Sequence, residues 1–275
     1  GQQRGGHEVW IATRAGGTLA PRFRSEGLRV CAETVDRWPT LFPLRKLVIR
    51  ERIDVIHTHL TRATNVGWVL AAATGRPVVA HAHMFSSSPS SWVAAQLGRV
   101  VAVSESIAIF YRRRRLAIPA SRLRLVYNGT SLHREAAAHA PRDAVRRAIA
   151  TELKLPEDTR FALLAGRVAH QKGTDVALDA WHLLRDGQAA PGPSPRVATP
   201  WCLLIVGHTK AEPAYVQQIE AAASPYAGAA GATAASGMRL LVRILGPRED
   251  VPRLLRGADV ALVPSRYGEA FGLAV

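Results

Sequence analysis

An α/β architecture in two halves is predicted by three features of the sequence. Short apolar runs rich in β-branched residues recur along it, helical periodicity fills the intervals, and a charged, alanine-rich stretch without a strand lies about midway. Strands that are apolar throughout, not at alternate positions, belong in a parallel sheet covered on both faces. The helical segments between them supply the covering layers.

In the first half the runs are Val9-Trp10-Ile11, Asp54-Val55-Ile56, Pro77-Val78-Val79-Ala80, Val100-Val101-Ala102-Val103 and Leu123-Arg124-Leu125-Val126. Helices are predicted over 44–52 and 62–73, and from about Ser104 onward. Residues 132–158 read as a linker carrying a helical stretch over 143–153. Alternation then resumes with Phe161-Ala162-Leu163-Leu164, Cys202-Leu203-Leu204-Ile205-Val206, Val242-Arg243-Ile244-Leu245 and Val260-Ala261-Leu262-Val263. The predicted domains are therefore 1–131 and 159–275. Two stretches rich in Ala, Gly, Pro and Ser, 186–200 and 223–237, are predicted as loops.

Composition narrows the function classes. No apolar run among the 275 residues approaches the ~20 needed to span a bilayer. Two cysteines far apart in sequence, Cys31 and Cys202, support neither a disulfide framework nor a thiolate metal cluster. The net charge of +15 suggests an anionic partner, yet only four of the 36 basic residues are lysine and the arginines are spread along the chain. That distribution is a general arginine bias more than a binding stripe. The one dense run, Arg112-Arg113-Arg114-Arg115, reads as a solvated helix end, with a contact to acidic lipid headgroups as the alternative. No aromatic ladder accompanies it, so nucleic acid is not an expected partner.

In open parallel sheets, ligands bind beyond the carboxyl ends of the strands, so the residues following each run carry the chemistry. After the first strand of the second half comes AGRVAHQKGTDVALDAW, with Arg167 just past the strand and Lys172-Gly173 opening a helix. Two cations and a helix N-terminus would attract a phosphate or pyrophosphate, and Gly173 would let backbone approach. Neither the Walker spacing nor a dinucleotide fingerprint is present. Glu269, after the last strand, could accept hydrogen bonds from sugar hydroxyls. The first half has two His-x-His pairs at strand tips, His57-Thr58-His59 and His81-Ala82-His83. Alternation puts both members of a pair on one side of the strand. With no cysteine or carboxylate to complete a ligand set, polar groups facing a crevice are expected in preference to a metal site, and no metal is expected.

Taken in order, GGHEVWIAT, IDVIHTH, PVVAHAH, VVAVSES, LVYNGTSL, AGRVAHQKGTDVALDAW, LLIVG, ILGPREDVPRLLRGADVALVPS and GEAFGLAV resemble a glycosyltransferase of family 4 with the GT-B fold. The resemblance implies two Rossmann-like domains facing each other across a crevice, both incomplete in this chain. It implies a retaining, metal-independent transfer of sugar from a nucleotide-diphosphate donor to a saccharide or lipid-linked acceptor in cell-surface polysaccharide, lipopolysaccharide or glycolipid synthesis. The location implied is the cytoplasm, with peripheral contact at the inner face of the membrane.

Carried over by position, the catalytic set is His83, Arg167, Lys172 and Glu269. Substrate contacts fall to Gly173, Gly207, Phe271, Gly272, His59 and Asn128. The resemblance places a strand before GGHEV and a second glutamate eight positions after Glu269, so the chain is expected to be an internal piece, inactive alone. The alternative is a non-catalytic GT-B-like or basic domain that binds anionic polymers or membranes.

Overall fold

The computed structural model describes residues 5–13, 19–31, 40–113, 117–129, 140–188, 199–207, 212–228 and 231–266. The chain divides into two compact units, Gly1–Gly129 and Thr130–Val275.

The first unit runs β1 (Trp10–Ala12), α1 (Leu19–Ser25), β2 (Arg29–Cys31), α2 (Leu41–Arg50), β3 (Ile56–His59), α3 (Leu60–Thr74), β4 (Val78–Ala82), α4 (Ser90–Leu97), β5 (Gly98–Ala102), α5 (Glu105–Arg113) and β6 (Leu123–Leu125). β3-β4-β5-β6 form one parallel sheet, and β1-β2 form a separate parallel pair. Neither α1 nor β2 is visible in the sequence pattern, since Arg-Val-Cys holds a single β-branched residue. β1 and β3 each have one edge without a ladder partner among the described residues. Both line a groove of about 590 Å³, with Val9, Trp10 and Ile56 among its walls. The ladder is interrupted at this groove.

Along β4 and β5 burial alternates: Val78, Ala80, Ala82, Val100 and Ala102 are buried. The helices supply buried Leu70, Ala71, Ala94 and Ala95, and α3 reaches β3 through a buried contact between the Thr58 and Thr64 hydroxyls, 3.1 Å apart. The register aligns His57 with Val79 and His59 with His81, so these four share the opposite face. The sequence predicts burial on both faces; among the described residues the face carrying His57, Val79, His59 and His81 is only partly covered.

The second unit comprises α6 (Arg142–Glu152), β7 (Arg160–Ala165), a 3₁₀ turn (His170–Lys172), α7 (Thr174–Arg185), β8 (Trp201–Val206), α8 (Pro213–Ala223), β9 (Ala232–Thr233), β10 (Arg239–Gly246), α9 (Val251–Gly257) and β11 (Val260–Ala261). The sheet order is β11-β7-β8-β10-β9, parallel except for β9. The central strands β7 and β8 are buried on both faces, as their unbroken apolar runs predict. Ala162, Leu164, Leu203 and Ile205 pack with Leu178 and Trp181 of α7 and Ile219 of α8. Phe161, Leu163, Cys202 and Leu204 pack on the other side with Ile149 of α6 and Leu254 of α9.

Two expectations are corrected here. The helix assigned to the linker is α6, and its Val145, Ile149 and Ala150 are core residues of the second unit. The predicted loop 223–237 holds β9 and the fully buried Tyr226, whose hydroxyl lies 2.7 Å from His182 Nδ1. One aromatic side chain anchors a segment whose small residues alone predict no structure. The α6 face is tied down by Asp259, whose carboxylate accepts from Arg142 at 3.0 Å, Arg160 at 2.7 Å and the Phe161 N–H at 2.9 Å.

Candidate functional site

The chain leaves β7 for β8 and β10 on one side of the sheet and returns to place β11 on the other. The topological switch point of this sheet therefore lies between β7 and β11, where ligands of open α/β sheets bind. Along the same carboxyl edge, on the other side of β7, the ends of β7, β8 and β10 meet through glycines. The Gly166 N–H donates to the Val206 carbonyl at 2.9 Å, and the Gly207 N–H donates to the Gly246 carbonyl at 2.8 Å. A Cβ on Gly207 would stand 1.8 Å from the Gly166 carbonyl oxygen, so no other residue fits.

Arg167 follows directly and is exposed, its guanidinium 3.4 Å from the neutral Gln171 amide oxygen. The Lys172 stem returns alongside Gly166. Gly173 sits at φ 65°, and a Cβ there would lie 2.1 Å from the Pro264 carbonyl oxygen. The close approach predicted at Gly173 is thus made by the chain leaving β11. The Arg266 N–H donates to the Gln171 carbonyl at 3.0 Å, and the Arg266 guanidinium pairs with Asp175. Burial pulls the Asp175 carboxyl up, but hydrogen bonds from Arg266 and Tyr215 outweigh it and hold the group below the usual aspartate value.

Two amides near the helix start are already engaged. The His170 N–H donates to Glu212 at 2.8 Å and the Asp175 N–H to the Tyr215 hydroxyl at 3.1 Å. Attraction for an anion at this edge therefore falls mainly to Arg167 and Lys172. The sequence pattern did not single out Arg266, Tyr215 or Glu212, whose roles come from long-range contacts. Glu269, Phe271 and Gly272 lie outside the described residues.

In the first unit, parallel pairing sets the two His-x-His pairs side by side. His57 and His59 lie within β3, not beyond it, because the ladder starts only at Ile56. His59 Nδ1 is 2.8 Å from His83 Nε2. The ring centroids of His57, His59, His81 and His83 form a chain of contacts between 4.5 and 5.5 Å. Burial, then repulsion from neighbouring histidines, lowers His59 and His81 to about 4. His57 and His83 are lowered too, both chiefly by burial. At neutral pH the cluster is uncharged.

The register makes one group of what the sequence shows as two separate pairs: ligand nitrogens of His57, His59 and His81 all lie within 4.8 Å of one another. The chain after His59 turns sharply at Leu60, whose φ of 70° is strained for a branched side chain. Asn128 follows β6 at the same carboxyl edge, half-buried. The structure thus gathers His59 and His83 in one unit and Arg167, Lys172, Gly173 and Gly207 in the other. Tyr111 points inward and is buried, while Arg112 and Arg113 are exposed at the end of α5. Among the described residues no helix is long and apolar enough to cross a membrane.

Comparison with known proteins gives a consistent result. Residues 1–134 match the family described as Glycosyltransferase Family 4, and residues 159–275 match Glycosyl transferases group 1. The D-inositol 3-phosphate glycosyltransferase of Salinispora arenicola is 29% identical over 240 residues, covering 80% of this chain and 50% of the relative. Its namesake from Xylanimonas cellulosilytica is 28% identical over 240 residues, covering 80% and 52%. The chain spans about half the length of the curated relatives it matches. Among solved structures, Anabaena HepE in complex with UDP and glucose superposes with a TM-score of 0.73 at 18% identity, covering 97% of this chain and 69% of that one. A glycosyltransferase from Rickettsia africae gives 0.77 at 16% identity, covering 99% and 69%. These likenesses show a mixed α/β fold of the GT-B kind.

Proposed function

The chain belongs to the glycosyltransferases, residues 1–134 to family 4 and residues 159–275 to group 1, and on that premise we propose that the complete protein transfers a sugar from a nucleotide-diphosphate donor with retention of configuration. The observation that carries this reading is the switch point between β7 and β11, flanked by Arg167 and Lys172. In the proposed reaction the bond between the anomeric carbon and the diphosphate oxygen breaks. A bond to an acceptor hydroxyl oxygen forms on the same face, and the hydroxyl proton leaves with the diphosphate. Arg167 and Lys172 offset the charge that develops on the leaving phosphate, which is electrostatic catalysis and needs no metal. Glu269, Phe271 and Gly272 hold the donor sugar, Gly173 and Gly207 lie beside the donor where they let the chain's own backbone pack closely, and His83, His59 and Asn128 serve the acceptor side.

The acceptor is a saccharide or lipid-linked saccharide of the cell surface, reached at the cytoplasmic face of the membrane. A small phosphorylated polyol is a second reading of the acceptor, favoured by the name the curated relatives carry. The HepE complex with UDP and glucose supports a nucleotide-sugar donor, with UDP-sugars the first to try. A thermal-shift screen of the complete protein against UDP-, GDP- and ADP-sugars tests the reading, because a ligand that binds only the folded state raises its stability. One nucleotide series should raise the melting temperature, and Lys172→Ala should remove the shift. Salt-sensitive binding to DNA or acidic vesicles, with no shift from any nucleotide sugar, would favour a non-catalytic basic domain instead.

A further inference from the structure

The half-covered face of the first unit's sheet carries four histidines, of which sugar transfer as proposed above uses only His59 and His83. His57 and His59 stand two residues apart on β3, and the register brings His81 of β4 directly opposite His59. Their ligand nitrogens already fall within 4.8 Å of one another. Both ring nitrogens of His81 are shut off from water and have no hydrogen-bond partner among the described residues. A buried imidazole lacking any partner is costly, and an ion accepting its lone pair would remove that cost.

We propose that His57, His59 and His81 form a three-histidine site for a borderline divalent transition metal of the Zn²⁺ class. An all-imidazole donor set suits Zn²⁺, Co²⁺ or Ni²⁺ and disfavours Mg²⁺ and Ca²⁺, which take oxygen ligands. Tetrahedral Zn²⁺ with bonds of about 2.0–2.1 Å needs its ligand nitrogens roughly 3.4 Å apart, so small side-chain rotations close the set. The 2.8 Å contact between His59 Nδ1 and His83 Nε2 leaves His59 Nε2 for the ion. His83 thereby becomes a positioning residue that fixes the tautomer and ring plane of a ligand. The fourth position is left to water or a small anion. Spanning two adjacent strands, the ion acts as a clip between β3 and β4 on the face that carries the imidazoles.

The test uses the complete protein, Zn²⁺ and Co²⁺ alone, and no nucleotide. Equilibrium dialysis should load one Zn²⁺ per chain, and Co²⁺ should give the intense visible bands of a tetrahedral nitrogen site. Mg²⁺ should neither load nor compete. His57→Ala, at an exposed position where folding is not at stake, should lower Zn²⁺ affinity at least about tenfold, as should His81→Ala. His83→Ala should weaken binding by roughly 10–100-fold while the stoichiometry stays at one. His7→Ala, outside the cluster, should change nothing. Absence of loading in the wild-type protein, or full loading of the His57→Ala/His81→Ala double variant, would overturn the site. Donor binding measured in the presence of a chelator stands or falls separately, so failure of either idea leaves the other intact.

Discussion

The two units share a parallel ladder but differ in the second face of the sheet. In the second unit both faces of the central strands are apolar and packed, and several carboxylates at the rims meet arginines. Asp259 is one such point. Glu152 and Asp250, bridged by Arg248 and Arg253, form another, with contacts of 2.7–3.0 Å at Asp250. In the first unit one face is apolar and the other holds four imidazoles in mutual ring contact. The second unit thus stabilises fixed charges in pairs, whereas the first excludes charge from a cluster able to carry it. A fixed cationic edge suits binding of a diphosphate, and a neutral cluster suits hydroxyl or metal chemistry.

The largest expected effect separates the units by function. Lys172→Ala or Arg167→Ala in the complete protein should cut turnover from a nucleotide sugar by roughly 10²–10³, the cost of losing one donor that stabilises developing charge. Glu269→Ala should also abolish transfer. His83→Ala should lower turnover while leaving donor affinity in place. Equal loss of donor affinity in His83→Ala would break the division of labour, and unchanged turnover in Lys172→Ala would remove the site assignment.

Asp259→Ala comes next and acts on stability. The carboxylate is nearly buried, and its loss removes the acceptor of the Phe161 N–H and leaves Arg146 to Asp143 alone among the described pairs. A destabilisation of about 3 kcal/mol is expected, because breaking a buried pair strands the remaining groups. Urea unfolding followed by hydrogen exchange should place that loss in the second unit. A loss spread equally over both units would show that they unfold as one.

How much of this was legible in the sequence depended on whether the signal was local. The runs at 160–165 and 201–206 are apolar at almost every position and read directly as buried parallel strands. The Arg167 and Lys172 pair was legible from its position after such a run. α6 was misplaced because its apolar face, Val145, Ile149 and Ala150, is short and its partners come from distant β7 and α9. β9 was invisible because two residues, Ala-Thr, carry no pattern and pair only once β10 is present. The histidines were seen as two separate pairs. Only the register of β3 against β4 makes them one cluster.

Acid provides a graded test of the same contrast. The folded-state values of His59 and His81, about 4, lie below the ordinary 6.5. Between those limits the unfolded chain binds more protons than the folded one. The cluster's contribution to stability is therefore complete above about 6.5 and is lost as the pH falls towards 4. Glu152 and Asp250 are held below 4.5 and 3.8 respectively, so their contribution is lost only at more acid pH. Acid titration followed by hydrogen exchange should release the first unit before the second. Release of the second unit first would contradict the contrast.

The smallest effect tests the strain beside the cluster. Leu60 holds φ at 70° directly after His59 and exposes about half of its side chain. A branched residue in the left-handed region costs about 1–2 kcal/mol, and little apolar burial at this position repays it. Glycine removes that cost but adds freedom to the unfolded chain worth up to about 1 kcal/mol. Leu60→Gly should therefore stabilise the first unit by about 0.5–1 kcal/mol while leaving the second unchanged. The turn at Leu60 also sets where His59 points. If the variant is more stable yet transfers sugar more slowly, the strain serves to aim the histidine; if stability falls, the side chain is held by contacts that its exposure does not suggest.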